Sequence, residues 1–332
     1  MQSLIKLKDT IFNIRSDVEF ERAALSVFSA QAKHNRVYAE FIEQLGVDPL
    51  KVDRISKIPF LPISFFKTHQ ISSGNLKPEI EFTSSGTTGQ IPSRHSVCDL
   101  EIYRHSFTQS FNLFYGNPKD YCILALLPAY LERQGSSLVY MANDLIENSD
   151  HPKSGFYLNN LLELESVLNT LAKKNTPTIL LGVSFALLDL AEQLSANFTH
   201  KNLIVMETGG MKGRRKEMIR SEMHAVLKRA FKVQSIHSEY GMTELLSQAY
   251  SKGEGFYRTP PWMKVLVRET ADPLSLTGHE KTGGLNIIDL ANIYSCSFLA
   301  TEDLGRTHAD KTFEVLGRFD TAEIRGCNLM VG

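Results

Sequence analysis

Long apolar runs are missing from this chain of 332 residues. No stretch of about 18 apolar residues, the length that spans a bilayer, occurs anywhere. The opening residues, MQSLIKLKDTIFNIRSDVEF, break their apolar positions with charges before a secretory h-region forms. The expected location is therefore the cytoplasm, with no membrane span. Charge of one sign is missing as well. Thirty-six Lys and Arg residues stand against 37 Asp and Glu, for a net charge of -1. That balance lacks the basic field that would point to nucleic acid or an anionic membrane as partner. Cysteine is scarce, and Cys98, Cys122, Cys296 and Cys327 share no CxxC or other metal-ligand spacing. A chain this long does not need disulfides to hold a core, so most of these thiols are expected to be small buried hydrophobes. Internal repeats and low-complexity tracts are also absent from the sequence.

What is present reads as an α/β protein. Phe20, Leu25, Phe28, Tyr38, Phe41, Ile42 and Leu45 recur at helical spacing, with Gly46 as a stop. IPFLPISFFKTH (58–69) carries two prolines in an apolar run and predicts an extended, packed connector rather than a helix. YCILALLP (121–128), TPTILLGV (176–183) and KNLIVMETGG (201–210) predict buried strands. Helical segments at 161–172 and 185–194 separate them, which implies a largely parallel or mixed sheet flanked by helices. After about residue 255 the pattern becomes short strands joined by Gly, Pro and Asp turns. The expected division is a helical N-terminus plus α/β core over 1–255 and a small β-rich subdomain over 256–332.

The stretch FTSSGTTGQIP (82–92) can be a plain surface turn or a phosphate grip. Glycines let backbone N–H groups approach an anion, and hydroxyls add donors without bulk. No Lys follows Gly89, so a G-x-x-x-x-G-K-[ST] loop is excluded. Three further stretches follow in order: SEYGMTELL (238–246), LATEDLGR (299–306) and LGRFDTAEIRGCN (316–328). They offer in turn an aromatic, a hydroxyl and a carboxylate; an acidic residue at a strand end; and an Arg with an Asp at a turn. Singly, each also fits a core aromatic, a helix-start carboxylate or a solvated ion pair.

In these four ordered motifs, from residue 83 to 328, the chain resembles the adenylate-forming superfamily. The resemblance implies ATP and Mg²⁺ as cofactors. Thr83, Ser84, Ser85, Gly86, Thr87, Thr88 and Gly89 match the phosphate loop, and Gly209 and Gly210 the glycine turn beside adenine. In Tyr240, Gly241, Met242, Thr243 and Glu244, the tyrosine implies stacking on adenine, Thr243 a donor to the α-phosphate and Glu244 a ligand to Mg²⁺. Asp303 matches the ribose-binding Asp, Arg318 the Arg of GRxD that contacts ribose or phosphate, and Asp320 the hinge position. One departure is Glu302, where the family has Gly.

Typical relatives continue past GRxD into a mobile C-terminal domain carrying a Lys. Here the sequence stops at Gly332, so that domain and its Lys are expected to be absent if the chain is complete. The size, the PPW of RTPPWMKVLVRETADPLSLTG (258–278), and Gly326 with Cys327 resemble the acyl-protein synthetase branch. That branch implies activation of a carboxylic acid, of the fatty class, to acyl-AMP, transfer to Cys327, and onward transfer to an acceptor protein or carrier. A thiolate suits this step, since its thioester stays transferable. Arg318 and Arg325 lie close in sequence to that thiol. The loops at Tyr130, Gln134, Gly135, Ser136, Ser184 and Phe185 are candidates to face the acid, and His237 is more simply a satisfied structural histidine. Two other readings stay open: an acid–CoA ligase type of enzyme using an external thiol acceptor, and a nucleotide-binding scaffold without turnover.

Overall fold

Strands buried on both faces have no polar side to show, and that fixes the central sheet of this protein. A computed structural model describes residues 2–84, 91–127, 135–158, 160–209 and 218–319. In chain order, α1 (Gln2–Ile11), α2 (Asp17–His34) and α3 (Arg36–Gln44) lead to β1 (Leu61–Pro62) and a one-turn α4 (Phe65–Thr68). A hairpin, β2 (Ile80–Thr83) and β3 (Arg94–Val97), precedes α5 (Leu100–Tyr115). Then strands and helices alternate: β4 (Cys122–Leu126), α6 (Ser137–Ser149), β5 (Gly155–Phe156), α7 (Leu161–Lys173), β6 (Thr178–Val183) and α8 (Ser184–Gln193). The alternation ends with β7 (Leu203–Thr208), α9 (Arg220–Phe231) and β8 (His237–Tyr240). Five strands follow: β9 (Ala249–Ser251), β10 (Met263–Arg268), β11 (Gly283–Asp289), β12 (Phe298–Thr307) and β13 (Phe313–Arg318).

The larger sheet has the order β5-β4-β6-β7-β8-β9 and is parallel except for β9. Every residue of β4 and β6 is buried, which is why these strands read as apolar runs rather than alternating patterns. Their carboxyl ends are level, since Leu126 pairs with Gly182, Val183 with Thr208, and Thr208 with Glu239. In the second sheet β12 pairs antiparallel with β11 and β13, and parallel with β1, which comes from far upstream in the chain. The mixed α/β architecture expected from the alternation is the one observed.

Two local features differ from the sequence expectation. The helical run between Phe20 and Leu45 is broken at Asn35, which closes α2 by donating its N–H to the Gln31 carbonyl and opens α3 by accepting from Tyr38 N–H at 3.1 Å. Its amide also donates to the Ser295 carbonyl at 2.8 Å, so a tertiary contact fixes the break. The proline-containing connector at 58–69 holds the one-turn α4 as well as extended backbone. Both prolines precede that turn, where no helical N–H is lost.

Close approach makes one glycine of β12 irreplaceable. A Cβ on Gly305 would lie 2.1 Å from the Glu314 carbonyl oxygen of the neighbouring strand, and backbone cannot rotate away. Gly305→Ala is expected to lower stability by about 2 kcal/mol through overpacking. An unchanged urea midpoint would show that β13 yields freely.

Candidate active site

The base of the serine- and threonine-rich hairpin is closed by two reciprocal bonds. Ser84 N–H donates to the Ser93 carbonyl at 3.0 Å, and Ser93 N–H donates to Ser84 Oγ at 2.8 Å. Thr83 N–H donates to the Gly135 carbonyl at 2.8 Å. Gly135 has φ +93°, and a Cβ there would stand 3.1 Å from the Glu81 carbonyl, so only glycine lets this loop end reach the hairpin. Ser85, Gly86, Thr87, Thr88 and Gly89 lie outside the described residues, as do Tyr130 and Gln134. Ser184 and Phe185, at the start of α8, are both buried.

Level strand ends bring the next residues to the same side. Ser184 Oγ donates to the Gly209 carbonyl at 3.0 Å, and Gly209 takes φ +68°, a backbone state that favours glycine. Gly210 lies outside the described residues. Tyr240 ends β8, and its hydroxyl donates to Asp303 Oδ2 at 2.7 Å. Its ring meets Tyr257 and Phe313 edge-on, with centroids at 5.9 and 5.6 Å.

Asp303 and Arg318 are direct cross-strand partners of β12 and β13, and Arg318 Nε stands 3.5 Å from Asp303 Oδ1. Burial raises the Asp303 carboxyl, while the Tyr240 hydroxyl and the Arg318 charge act in the opposite sense. Glu302, the departure noted in the sequence, faces the same Arg318 at 3.6 Å and Lys67 at 4.0 Å. Two residues far apart in the chain, Tyr240 and Arg318, thus meet at the Asp303 carboxylate.

Residues 241–247 form no helix, so Glu244 is not a helix-start carboxylate. It is 6% exposed, and burial raises its pKa against a hydrogen bond with the Ser93 side chain and the charge of Arg318. Thr243, Glu244, Leu246 and Ser247 of this turn are held by buried side chains that sequence reasoning did not single out. His95 Nδ1 contacts the Thr243 carbonyl at 2.8 Å, and Asn292 Nδ2 donates to the Glu244 carbonyl at 2.7 Å. Asp289 accepts from the N–H groups of Leu246 and Ser247 at 2.8 and 2.9 Å and from Ser247 Oγ at 2.6 Å. Burial pushes the Asp289 carboxyl up to about 6 and the His95 imidazole down to about 4. The available signal was a polar or charged residue inside an otherwise apolar strand, as in NIIDLANIYSCS (286–297).

A methyl on Gly241 would stand 2.5 Å from Glu239 Oε1, so this glycine makes room for a carboxyl; Met242 packs partly buried against the core. His237 Nδ1 is 3.2 Å from the Tyr115 hydroxyl, and burial pushes its pKa down to about 4. Cys122 and Cys296 are buried, with thiols pushed up to about 11 and about 12 by desolvation, and Cys98 is raised for the same reason. Cys327, Gly326, Arg325 and Asp320 lie outside the described residues. Among the described residues, no three His, Cys, Asp or Glu side chains cluster as a metal cage, and no helix is long and apolar enough to cross a membrane. A lone carboxylate such as Glu244 fits Mg²⁺, which takes one or two protein carboxylates and fills its other positions with water and phosphate oxygens.

Solved structures share this architecture. 2-Hydroxyisobutyryl-CoA ligase with 2-HIB-AMP and CoA in its thioesterification state gives a TM-score of 0.66 at 14% identity, over 96% of this chain and 75% of that one. ATP-bound MatB from Rhodopseudomonas palustris gives 0.54 at 15% identity, over 72% of this chain and 47% of that one. The fold is that of the adenylate-forming ligases. Within that class, the chain belongs to the family described as acyl-protein synthetase, LuxE, which it matches over residues 13–332. A curated relative, the long-chain-fatty-acid–luciferin-component ligase of Vibrio harveyi, is 25% identical over 319 residues, covering 89% of this chain and 82% of the relative. The protein is therefore an enzyme, a ligase of the acyl-protein synthetase type.

Proposed function

We propose that this enzyme activates a long-chain fatty acid with Mg-ATP and hands the acyl group through Cys327 to an acceptor protein. The observation that carries the reading is the meeting of Tyr240, Asp303 and Arg318 at the carboxyl ends of the parallel strands, beside the hairpin and the Thr243–Glu244 turn. Ligands of open α/β sheets bind at this edge.

In this reading Asp303 accepts hydrogen bonds from the ribose hydroxyls, and Tyr240, braced by Tyr257 and Phe313, lies against the adenine. The backbone and hydroxyls of 83–89 hold the outer phosphates, with the loop closed at Ser84 and Ser93. Thr243 donates to the α-phosphate, where charge develops as the acid carboxylate attacks. Glu244 would hold Mg²⁺, and the ion would supply neutralisation of phosphate charge. A carboxylate oxygen bonds to the α-phosphorus as the bond to pyrophosphate breaks, giving acyl-AMP. The Cys327 thiolate then attacks the acyl carbon, the bond to AMP breaks, and a thioester forms. Support for Cys327 comes from the other three thiols, whose pKa values burial raises away from the thiolate. Residues 1–255 would supply the phosphate and acid contacts, and 256–332 the ribose pair and the nucleophile.

Intact-protein mass spectrometry tests this. Wild type incubated with Mg-ATP and fatty acids is expected to gain one hydroxylamine-sensitive acyl mass, absent from Cys327→Ser. Acid-dependent ATP–pyrophosphate exchange without any adduct would remove Cys327 and leave an adenylating ligase with an external thiol acceptor. Tight ATP binding with no exchange for any acid would leave a scaffold.

A further inference from the structure

The hairpin and the Thr243–Glu244 turn belong to segments some 150 residues apart, yet His95 of β3 and Ser93 just before that strand bring them together. Ser93, which precedes β3 and closes the hairpin base, has its side chain beside the Glu244 carboxyl, whose pKa it lowers against burial. Two residues on, within β3, the fully buried His95 reaches the Thr243 carbonyl at 2.8 Å and Ser295 Oγ at 2.9 Å. A carbonyl only accepts, so Nδ1 carries the hydrogen, and Nε2 of the neutral ring accepts a hydrogen bond from the Ser295 hydroxyl. Ser295 is fixed in turn, its carbonyl accepting from Asn35 Nδ2 at 2.8 Å and Ser73 Oγ at 3.1 Å. A buried imidazole is costly unless both nitrogens are matched, and here both are.

We propose that His95 and Ser93 are positioning residues that hold Thr243 and Glu244 in register with the phosphate-gripping hairpin, so that the α-phosphate donor and the metal carboxylate stay aligned with the outer phosphates. The proposal rests on the adenylating function above. Neither residue touches the reacting atoms. Each acts through Thr243 or Glu244, whose alignment matters in the transition state more than in ground-state nucleotide binding.

The test is acid-dependent ATP–pyrophosphate exchange on wild type, His95→Leu and His95→Asn, with ATP binding measured by calorimetry without acid. Misalignment of reacting groups by an ångström costs about 10²-fold, so His95→Leu is expected to lose about that much kcat while its ATP Kd stays within about threefold. Asn offers an N–H near the position of Nδ1, and His95→Asn is expected to recover about tenfold of the loss. A Leu variant within about twofold of wild-type kcat, or an Asn variant as impaired as Leu, overturns the proposal. If the Leu variant does not fold, Ser93→Ala decides. It is expected to need about fivefold more Mg²⁺ for half-maximal exchange, and an unchanged Mg²⁺ requirement overturns the proposal. Absence of exchange in the wild type would be a different failure, that of the adenylating reading itself.

Discussion

Asp303→Ala is expected to cut kcat/KM for ATP in pyrophosphate exchange by about 10³-fold, with the loss appearing largely in the KM for ATP. Two hydrogen bonds from ribose hydroxyls to an ionised carboxylate contribute about 2 kcal/mol each, and about 4 kcal/mol together corresponds to that factor. The geometry concentrates the effect on this one side chain. Asp303 is 9% exposed, it accepts from Tyr240, and it faces the Arg318 guanidinium across the β12–β13 pair. Removing it leaves the buried Tyr240 hydroxyl without its acceptor and frees Arg318 toward Glu302 alone. Asp303→Asn retains an oxygen for Tyr240 but only one acceptor, so it is expected to fall between wild type and the Ala variant. A folded Ala variant whose KM for ATP stays within about threefold of wild type would exclude Asp303 from nucleotide binding.

The parts of this site that were legible in the sequence are the buried strands and the motifs whose order, rather than any one of them singly, resembles a known superfamily. Six consecutive buried positions in β6 spell an apolar run, and Gly209 at φ +68° ends another. The Tyr240, Asp303 and Arg318 motifs could be read because their order resembles that of the adenylate-forming superfamily. Tyr240 and Arg318 end β8 and β13, whereas Asp303 lies inside β12 rather than at the strand end expected from the sequence. What could not be read are the residues whose meaning lies in a partner far along the chain. His95 is an ordinary histidine until the Thr243 carbonyl stands opposite it, 148 positions away. Asp289 sits in a largely apolar strand, and the buried N–H groups of Leu246 and Ser247 that donate to it explain it. The same holds for Asn35, which breaks a helical run through its bond to Ser295. Hydrophobic periodicity reports which face is buried, but not which buried polar atom answers another.

Glu239 gives the clearest expectation for pH. It is buried beside Glu207, and desolvation pushes its carboxyl from the ordinary 4.5 to about 7, although the Thr208 hydroxyl donates to it. A carboxyl whose folded pKa lies above its unfolded value binds its proton more tightly in the folded state. The folded state is therefore favoured at low pH and loses stability as pH rises from about 4.5 through 7. Over that window the loss from this one group is about 3 kcal/mol. Glu239→Gln removes the ionisation while keeping an oxygen for Thr208, so the variant is expected to gain about 3 kcal/mol on wild type between pH 4 and pH 8. Urea unfolding of both proteins at the two pH values measures this, and the comparison cancels groups such as Asp289 that both share. Parallel pH dependences would mean that Glu239 is already hydrated or counter-charged in the folded protein. The prediction bears on the site because Glu239 Oε1 fills the space that the missing Cβ of Gly241 leaves, where a methyl would stand 2.5 Å away. The glycine that follows Tyr240 and the carboxyl that precedes it thus form one packed unit, and the charge on that carboxyl acts on the strand end that presents Tyr240 to Asp303.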